Sequence, residues 1–433
     1  MKVIGIIAEY NPFHNGHAYQ IKKIKEELHA DYVVVTMSGD FVQRGAPAIV
    51  DKYARTKMAL SCGADLVIEL PVLWATASAE YFAMAGVTLF EKMGCVDGIC
   101  FGAETDDLDT LSMIADVLAC EPENYRVALS SYLKNGMAFP AARSKALCEY
   151  FAKVSDNDSH GLSLDDLSSI LNEPNNILAI EYLKALKRRA SSITPYVIKR
   201  EGAGYHDETI ADDTSCHAPT ASATAIRLAL DTHISTEETY ISDALGNAMP
   251  VAALEVLKDY LTEKSLVYSN DFSSILGYKL LSSDISVLAD IGDSNPELAN
   301  RLFKNHMNFS SFEQFCELNK SKDVTYTRVS RVLLHLILNI SNQDCQFGKE
   351  LDYIPYLRIL GFRKDATALL KELKNVSKAP VISKLADASS LLDSNILKLL
   401  DKDIFAADLY EQVCANKSGT VSISDYSQNI VLI

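Results

Sequence analysis

No stretch of the sequence is apolar for long enough to cross a bilayer, which takes about twenty residues. The apolar run near the start, Val3–Ala8, spans six residues and passes directly into polar chemistry. It lacks a small-residue cleavage site, so it reads as a buried strand and not as a secretory signal. The nine cysteines form no CxxC pair, and their number is odd. Scattered cysteines of this kind suit a reducing cytosol better than a disulfide framework. No ligand cluster has the spacing of a zinc site, so none is expected. There is no internal repeat and no low-complexity tract. Positive charge is scarce: 41 Lys and Arg stand against 57 Asp and Glu, a formal net charge of −16. Taken alone, that argues against a nucleic-acid partner, because phosphate avoids an acidic surface. The average hides local bias, however. Leu183–Arg200 carries six basic residues and no acidic one, and Arg301–Pro380 carries thirteen basic against eight acidic. Solvated helix faces and phosphate-contacting surfaces both fit these stretches.

What is present is the composition of a globular protein: 433 residues, 48% hydrophobic and 23% charged. That length fits two or three domains. The first hundred residues alternate strand and helix patterns. Val3–Ala8, Tyr32–Met37, Asp65–Leu70 and Val96–Phe101 read as strands, and Gly16–Leu28, Pro47–Cys62 and Ser78–Met93 as helices. Thr194–Lys199 reads as a fifth strand after the basic helix Ile177–Ala190. Short β-branched runs separated by helices predict an α/β fold with a Rossmann-like parallel sheet, with ligands at the carboxyl ends of its strands. Residues 106–171 read as a helical insertion whose stretch Val154–Asp166 is a loop. From about Met249 onward, Leu-rich helical periodicity dominates, with a short strand expected within Val421–Ile433. The expected division is an α/β domain over 1–245 and a separate, mainly α-helical domain over 246–433.

The most specific chemical signal is His14-Asn15-Gly16-His17, which follows the first strand and opens the first helix. Histidines three apart share a helix face. Gly16 lets a ligand approach the backbone. The free N–H groups and dipole of a helix N-terminus favour phosphate, and the imidazoles can donate to charge developing there. On these residues the chain resembles the HxGH nucleotidyltransferase superfamily, which transfers a nucleotide from ATP, usually with magnesium. A second signature of that superfamily is matched by Ala221-Ser222-Ala223-Thr224-Ala225-Ile226-Arg227. There Ser222, Thr224 and Arg227 suit phosphate oxygens at a helix start.

Further strings narrow the resemblance. They are Glu9-Tyr10-Asn11-Pro12-Phe13-His14-Asn15-Gly16-His17, Met37-Ser38-Gly39-Asp40-Phe41-Val42-Gln43-Arg44-Gly45, Phe101-Gly102-Ala103-Glu104, Pro174-Asn175-Asn176-Ile177-Leu178, Lys199-Arg200-Glu201-Gly202-Ala203-Gly204-Tyr205-His206-Asp207 and Tyr356-Leu357-Arg358-Ile359-Leu360-Gly361-Phe362. Together they look like the bacterial tRNA(Met) cytidine acetate ligase family, over essentially the whole chain. Ala179 stands where that pattern has Gly, and Ala46 where it often has Glu. The resemblance implies a cytoplasmic, ATP-dependent ligase that makes acetyl-adenylate from acetate and acetylates N4 of the wobble cytidine of elongator tRNA(Met). It implies an ATP site of Ile7, Ala8, Glu9, Tyr10, Asn11, Pro12, Phe13, His14, Asn15, Gly16, His17, Gln20, Gly102, Asn175 and Arg200, with Asn176 as the substitute for Asn175. Magnesium is expected to arrive through the ATP phosphates.

His14, His17 and Asp40 are the expected catalytic residues. Asp40 lies just past the second strand and could hold magnesium, orient a histidine or contact the cytidine amine. The loop Gly202–Asp207, with His206, could close over the site. Lys184, Arg188, Arg328, Arg331 and Arg358 are the expected RNA contacts, with Arg363 and Lys364 as further candidates and Tyr326 and Tyr356 as stacking surfaces. Two competing readings remain at this level. A small-molecule adenylyltransferase explains the histidine motif equally well but leaves the helical region unexplained. A non-catalytic RNA-binding protein predicts decay at His14, Gly16 or His17, and all three are intact.

Overall fold

The structure is a computed structural model that describes residues 1–137, 139–155, 164–200, 222–233 and 245–433. Its centre is a sheet built on five parallel strands: β1 (Val3–Ala8), β2 (Tyr32–Ser38), β5 (Leu66–Leu70), β6 (Gly98–Ala103) and β7 (Thr194–Lys199). A small antiparallel hairpin, β3 (Phe41–Val42) with β4 (Ala46–Pro47), projects between β2 and β5. The runs VIGIIA and YVVVTMS are apolar on both faces because helices cover both faces, as buried parallel strands require. Strand order across this part is β5-β2-β1-β6-β7. The chain steps one way from β1 to β2 and β5, then returns to lay β6 on the other side of β1. That reversal is the switch point at which open α/β sheets bind ligands.

Helix α1 (Asn15–Glu26) follows β1, α2 (Lys52–Ser61) precedes β5, and a short turn α3 (Val72–Ala75) leads into α4 (Ala79–Met93). The stretch expected as one helix from Pro47 is split. Pro47 ends the hairpin, and α2 begins only after Asp51, whose carboxylate caps it through Ala54 N at 2.8 Å. Between β6 and β7 the expected insertion is helical: α5 (Leu108–Cys120), α6 (Glu123–Lys134), α7 (Phe139–Ser155), α8 (Leu164–Asn172) and α9 (Pro174–Arg188). Part of the stretch expected as a loop there, 156–163, lies outside the described residues. Helix α10 (Ala223–His233) follows β7.

The sheet crosses the boundary expected at 245–246. Strand β8 (Leu357–Phe362) lies antiparallel to β5, from Leu66↔Phe362 to Glu69↔Arg358. The strands β9 (Val381–Ile382) and β10 (Val431–Leu432) pair with β8 in turn. The physical reason is the open edge of β5, whose unpaired backbone groups need a partner. Gly361 lets α2 lie close over β8, since a Cβ there would lie 2.7 Å from the Thr56 side chain. The remainder of 246–433 is mainly helical, as expected, but it is fastened to the α/β part. Val72 N donates to Asp403 at 2.7 Å, and Tyr410 Oη donates to Ala48 O at 2.8 Å, both from the long helix Ser394–Ser418. No helix among the described residues is long and apolar enough to cross a membrane.

Candidate active site

The two histidines build their own helix start. His14 is the N-cap of α1, in extended conformation, and its Nδ1 accepts from Gly16 N at 3.1 Å. His17 closes the reciprocal half: its Nδ1 accepts from His14 N at 3.2 Å. Gly16 leaves room for this, because a Cβ there would sit 3.0 Å from His14 Cε1. A backbone N–H can only donate, so both Nδ1 atoms carry lone pairs and both protons reside on Nε2. The rings stack with centroids 3.7 Å apart, and Tyr10 and Phe13 wall the His17 ring at 4.7 and 5.4 Å.

Burial, with the charges of Arg200 and Arg227, lowers the His14 pKa to about 3. Burial, then the field of His14, then Arg200, lowers that of His17 well below the ordinary value. The pair is therefore neutral near pH 7. Each ring can present an Nε2–H donor at the positive end of α1 without carrying a charge of its own.

The late signature is brought to the same place. Ser222 Oγ caps α10 by accepting from Ala225 N at 3.0 Å. Arg227 is held by Thr224 Oγ1 at 3.0 Å and donates to Asn11 O at 2.8 Å, which ties α10 to the loop after β1. Thr224 thus acts on Arg227 in this structure. Arg200 and Arg227 both act on His14, and the charges of Glu9 and Arg44 act on Arg227 in turn. A set of neutral N–H donors among arginines is an anion site.

Other expected residues play supporting parts. Glu9 accepts from Gln43 N at 2.8 Å and so faces the hairpin. Asn11 Oδ1 accepts from Ile49 N at 2.9 Å. Asn15 donates from its side chain to Asn247 O at 2.7 Å and from its backbone to Ala248 O at 3.0 Å. Gln20 Nε2 donates to Cys100 O at 3.0 Å, fixing α1 against β6. Ile7, Ala8 and Pro12 complete the β1–α1 connection. Gly102 lies in β6, where an added Cβ would touch the stem of Arg200 at 3.4 Å. Asn175 and Asn176 open α9. Asn176 is buried, and its Oδ1 accepts from Glu104 N at 2.9 Å and Thr105 N at 3.2 Å, which leaves Asn175 as the more accessible of the two.

Asp40 is placed differently from a group that touches the reacting atoms. Its carboxylate accepts from Lys52 N at 2.6 Å and lies 3.9 Å from Arg55 Nη2, and it is 5% exposed. Burial raises its pKa to about 7 against the pull of Lys52 and Arg55. These contacts tie Asp40 to the start of α2. No motif points to Arg55, which is fully buried and donates to the carbonyls of Glu9 (2.7 Å), Ser38 (3.0 Å), Val50 (2.8 Å) and Gly39. It staples the loop after β1 to the loop after β2. In a sequence, an arginine in a helix with Lys52 and Lys57 reads as a solvated face.

Among the described residues no group of three or more His, Cys, Asp or Glu could hold a metal ion. Cys216, His206 and the loop Gly202–Asp207 lie outside the described residues.

The expected RNA contacts are not brought together, and three are corrected. Arg358 is 4% exposed and ion-paired with Glu69 at 2.9 Å and Asp425 at 2.8 Å. Arg331 is buried on Asp293 at 2.6 Å, and Lys184 is buried between Glu80 and Glu181, each at 2.9 Å. Desolvated cations need carboxylate partners, which is why acidic residues surround these three. Arg188 and Arg328 remain partly exposed, though each also faces a carboxylate, Glu80 at 2.8 Å and Asp293 at 3.5 Å. Tyr356 is buried and donates to Asp403 at 2.7 Å, which removes it as a stacking surface.

Comparison with known proteins places this geometry. Residues 1–424 match the HIGH Nucleotidyl Transferase family. The tRNA(Met) cytidine acetate ligase of Acetivibrio thermocellus is 38% identical over 434 residues, covering 100% of both chains. That of Thermoanaerobacter sp. strain X514 is 42% identical over 419 residues, covering 96% of this chain and 97% of its own. The crystal structure of Thermotoga maritima TmcAL bound with alpha-thio ATP superposes with a TM-score of 0.87 at 29% identity, covering 100% of this chain and 99% of that one. Its apo form superposes at 0.88 and 28% identity, covering 100% of both. The chain belongs to the HIGH nucleotidyl transferase family and, within it, to the tRNA(Met) cytidine acetate ligases.

Proposed function

We propose that the chain activates acetate with ATP and transfers the acetyl group to N4 of the wobble cytidine of elongator tRNA(Met). The observation that carries this reading is the neutral His14–His17 pair at the start of α1, with Arg200 and Arg227 beside it. In the first step an acetate oxygen bonds to the α-phosphorus while the bond to the bridging oxygen breaks. Pyrophosphate leaves with that electron pair. Charge grows on the departing oxygens, and the two Nε2–H groups and the arginines are aimed at phosphate without first having to lose a proton. In the second step the cytidine amine bonds to the acetyl carbon, the carbon–oxygen bond to AMP breaks, and the nitrogen gives up one proton.

Near-full-length similarity to named cytidine acetate ligases supports this over a cofactor-type adenylyltransferase. Catalysis by His14 and His17, with Asp40 positioning them through the Arg55-stapled loop, is part of the same proposal. So are nucleotide contacts by Gly102, Asn175 and Arg200. Magnesium, in this reading, enters on the triphosphate. Of the expected RNA contacts, Arg188 and Arg328 are kept as peripheral candidates. Action on tRNA puts the protein in the cytoplasm.

The test is transfer of radiolabelled acetate, with ATP and magnesium, into a bulk tRNA pool. Label recovered in elongator tRNA(Met) as N4-acetylcytidine, and lost without ATP, is the expected result. Unlabelled tRNA, with pyrophosphate released from a panel of cofactor precursors instead, would move the chain to the adenylyltransferases.

A further inference from the structure

Glu104 stands one residue past the end of β6, on the same edge of the sheet as Gly102 and Arg200. Its carboxylate receives three donors from the start of α9. Oε1 accepts from Asn175 Nδ2 at 2.6 Å and from Asn175 N at 3.4 Å, and Oε2 accepts from Asn176 N at 2.8 Å. Asn176 answers by accepting from the Glu104 and Thr105 backbones. The result is a two-way clasp between a strand end and a helix start. A carboxylate among N–H donors serves as an acceptor, so the group Asn175 turns toward it must be its NH2. The orientation of the amide, ordinarily ambiguous, is thereby fixed. Its Oδ1 is then the end that points away from Glu104.

We propose that Glu104 is a positioning residue that presents Asn175 Oδ1 to the nucleotide as a hydrogen-bond acceptor. The ligand group selected must therefore be a donor, either the exocyclic amine of adenine or a ribose hydroxyl. This rests on the reading of the strand edge as the ATP site. The neighbouring amide cannot serve in its place, because Asn176 is buried and its oxygen is committed to two backbone donors.

Calorimetric binding of ATP, inosine triphosphate, 2′-deoxy-ATP and 3′-deoxy-ATP to the full chain tests it. The wild type should bind one analogue, the one lacking the selected donor, about three- to tenfold more weakly than ATP, the loss of one hydrogen bond. Asn175→Ala and Glu104→Gln should each weaken ATP by a similar factor and erase that preference. The double variant should bind no more weakly than Asn175→Ala, because Glu104 acts through Asn175. If Glu104→Gln does not fold, Glu104→Asp, which withdraws the carboxylate by one methylene, reads the same effect. ATP binding with the wild-type preference intact in the variants, equal binding of all four nucleotides by the wild type, or additive losses in the double variant would overturn the inference alone. No ATP binding by the wild type would overturn the site reading and this inference with it.

Discussion

A histidine whose pKa falls to about 3 is a dipole, not a cation, at neutral pH, and that sets what His14 can do. The unfolded chain protonates this group near 6.5, the folded chain only near 3, so within that window the unfolded state binds more protons. The contribution of His14 to stability is therefore complete above about pH 6.5 and is lost as pH falls toward 3. Imidazole chemical shifts should stay flat for both histidines from pH 8 to 5.5. A midpoint near 6.5 in either would contradict the neutral-donor account. His17→Ala removes one Nε2–H and should lower acetate-dependent pyrophosphate release by about 10²- to 10³-fold, the scale of one lost oxyanion donor. Its circular dichroism should be unchanged. Asp40 is a different case. If it positions the loop and takes no part in chemistry, Asp40→Asn keeps an oxygen for Lys52 N–H and should retain most of kcat, whereas a catalytic carboxylate would lose nearly all of it. Burial raises Asp40 to about 7, so the folded chain holds a proton there that the unfolded chain releases above about 4. Stability from this group falls as pH rises between those values, and Asp40→Asn should remove that slope from urea titrations.

Among the elements, legibility followed how much of the pattern was local. The run VIGIIA followed by HNGH could be read directly, because strand, turn and helix cap are adjacent and each uses its usual chemistry. Thr194–Lys199 was legible for the same reason. The fourth strand was read two residues early. Gly98 and Gly102 carry no strand propensity, and pairing with β7 from Gly98↔Thr194 to Ala103↔Lys199 decides its limits. β8 was not legible as a strand at all. Arg358 interrupts its apolar run, and only the buried carboxylates of Glu69 and Asp425, far away in sequence, make an arginine acceptable there. In the site, His14, His17, Ser222 and Arg227 could be read from motif context, whereas the parts of Glu104 and Arg55 depend on backbone groups that no motif names. At this scale the cap of α10 is open to test. Ser222→Ala should cost about 1 kcal/mol of helix stability. Because α10 carries Arg227, it should raise the KM for ATP more than it lowers kcat.

Across the whole molecule, a buried charge network makes the two halves interdependent. Lys52 from α2, Glu69 from β5, Arg358 from β8 and Asp425 from near the carboxyl end join in one cluster, each 5% exposed or less. Arg358→Met would leave two buried carboxylates to share Lys52 alone and should destabilise the chain by about 3–5 kcal/mol. If Arg358 were instead a phosphate contact, the same change would leave stability alone and reduce the salt dependence of tRNA binding. Lys52 also holds Asp40 through its backbone N–H, beside the loop stapled by Arg55, so damage to the carboxyl-terminal half should reach ATP binding without touching a ligand. The step on which the chemistry turns is attack of acetate on the α-phosphate of ATP at this site. The most direct test supplies acetate labelled with 18O in both oxygens, with ATP and tRNA, and weighs the AMP released. Acyl transfer from acetyl-adenylate leaves one acetate oxygen on phosphorus, so one 18O atom per AMP is expected for each acetylcytidine formed. Acetylated tRNA accompanied by unlabelled AMP would contradict it.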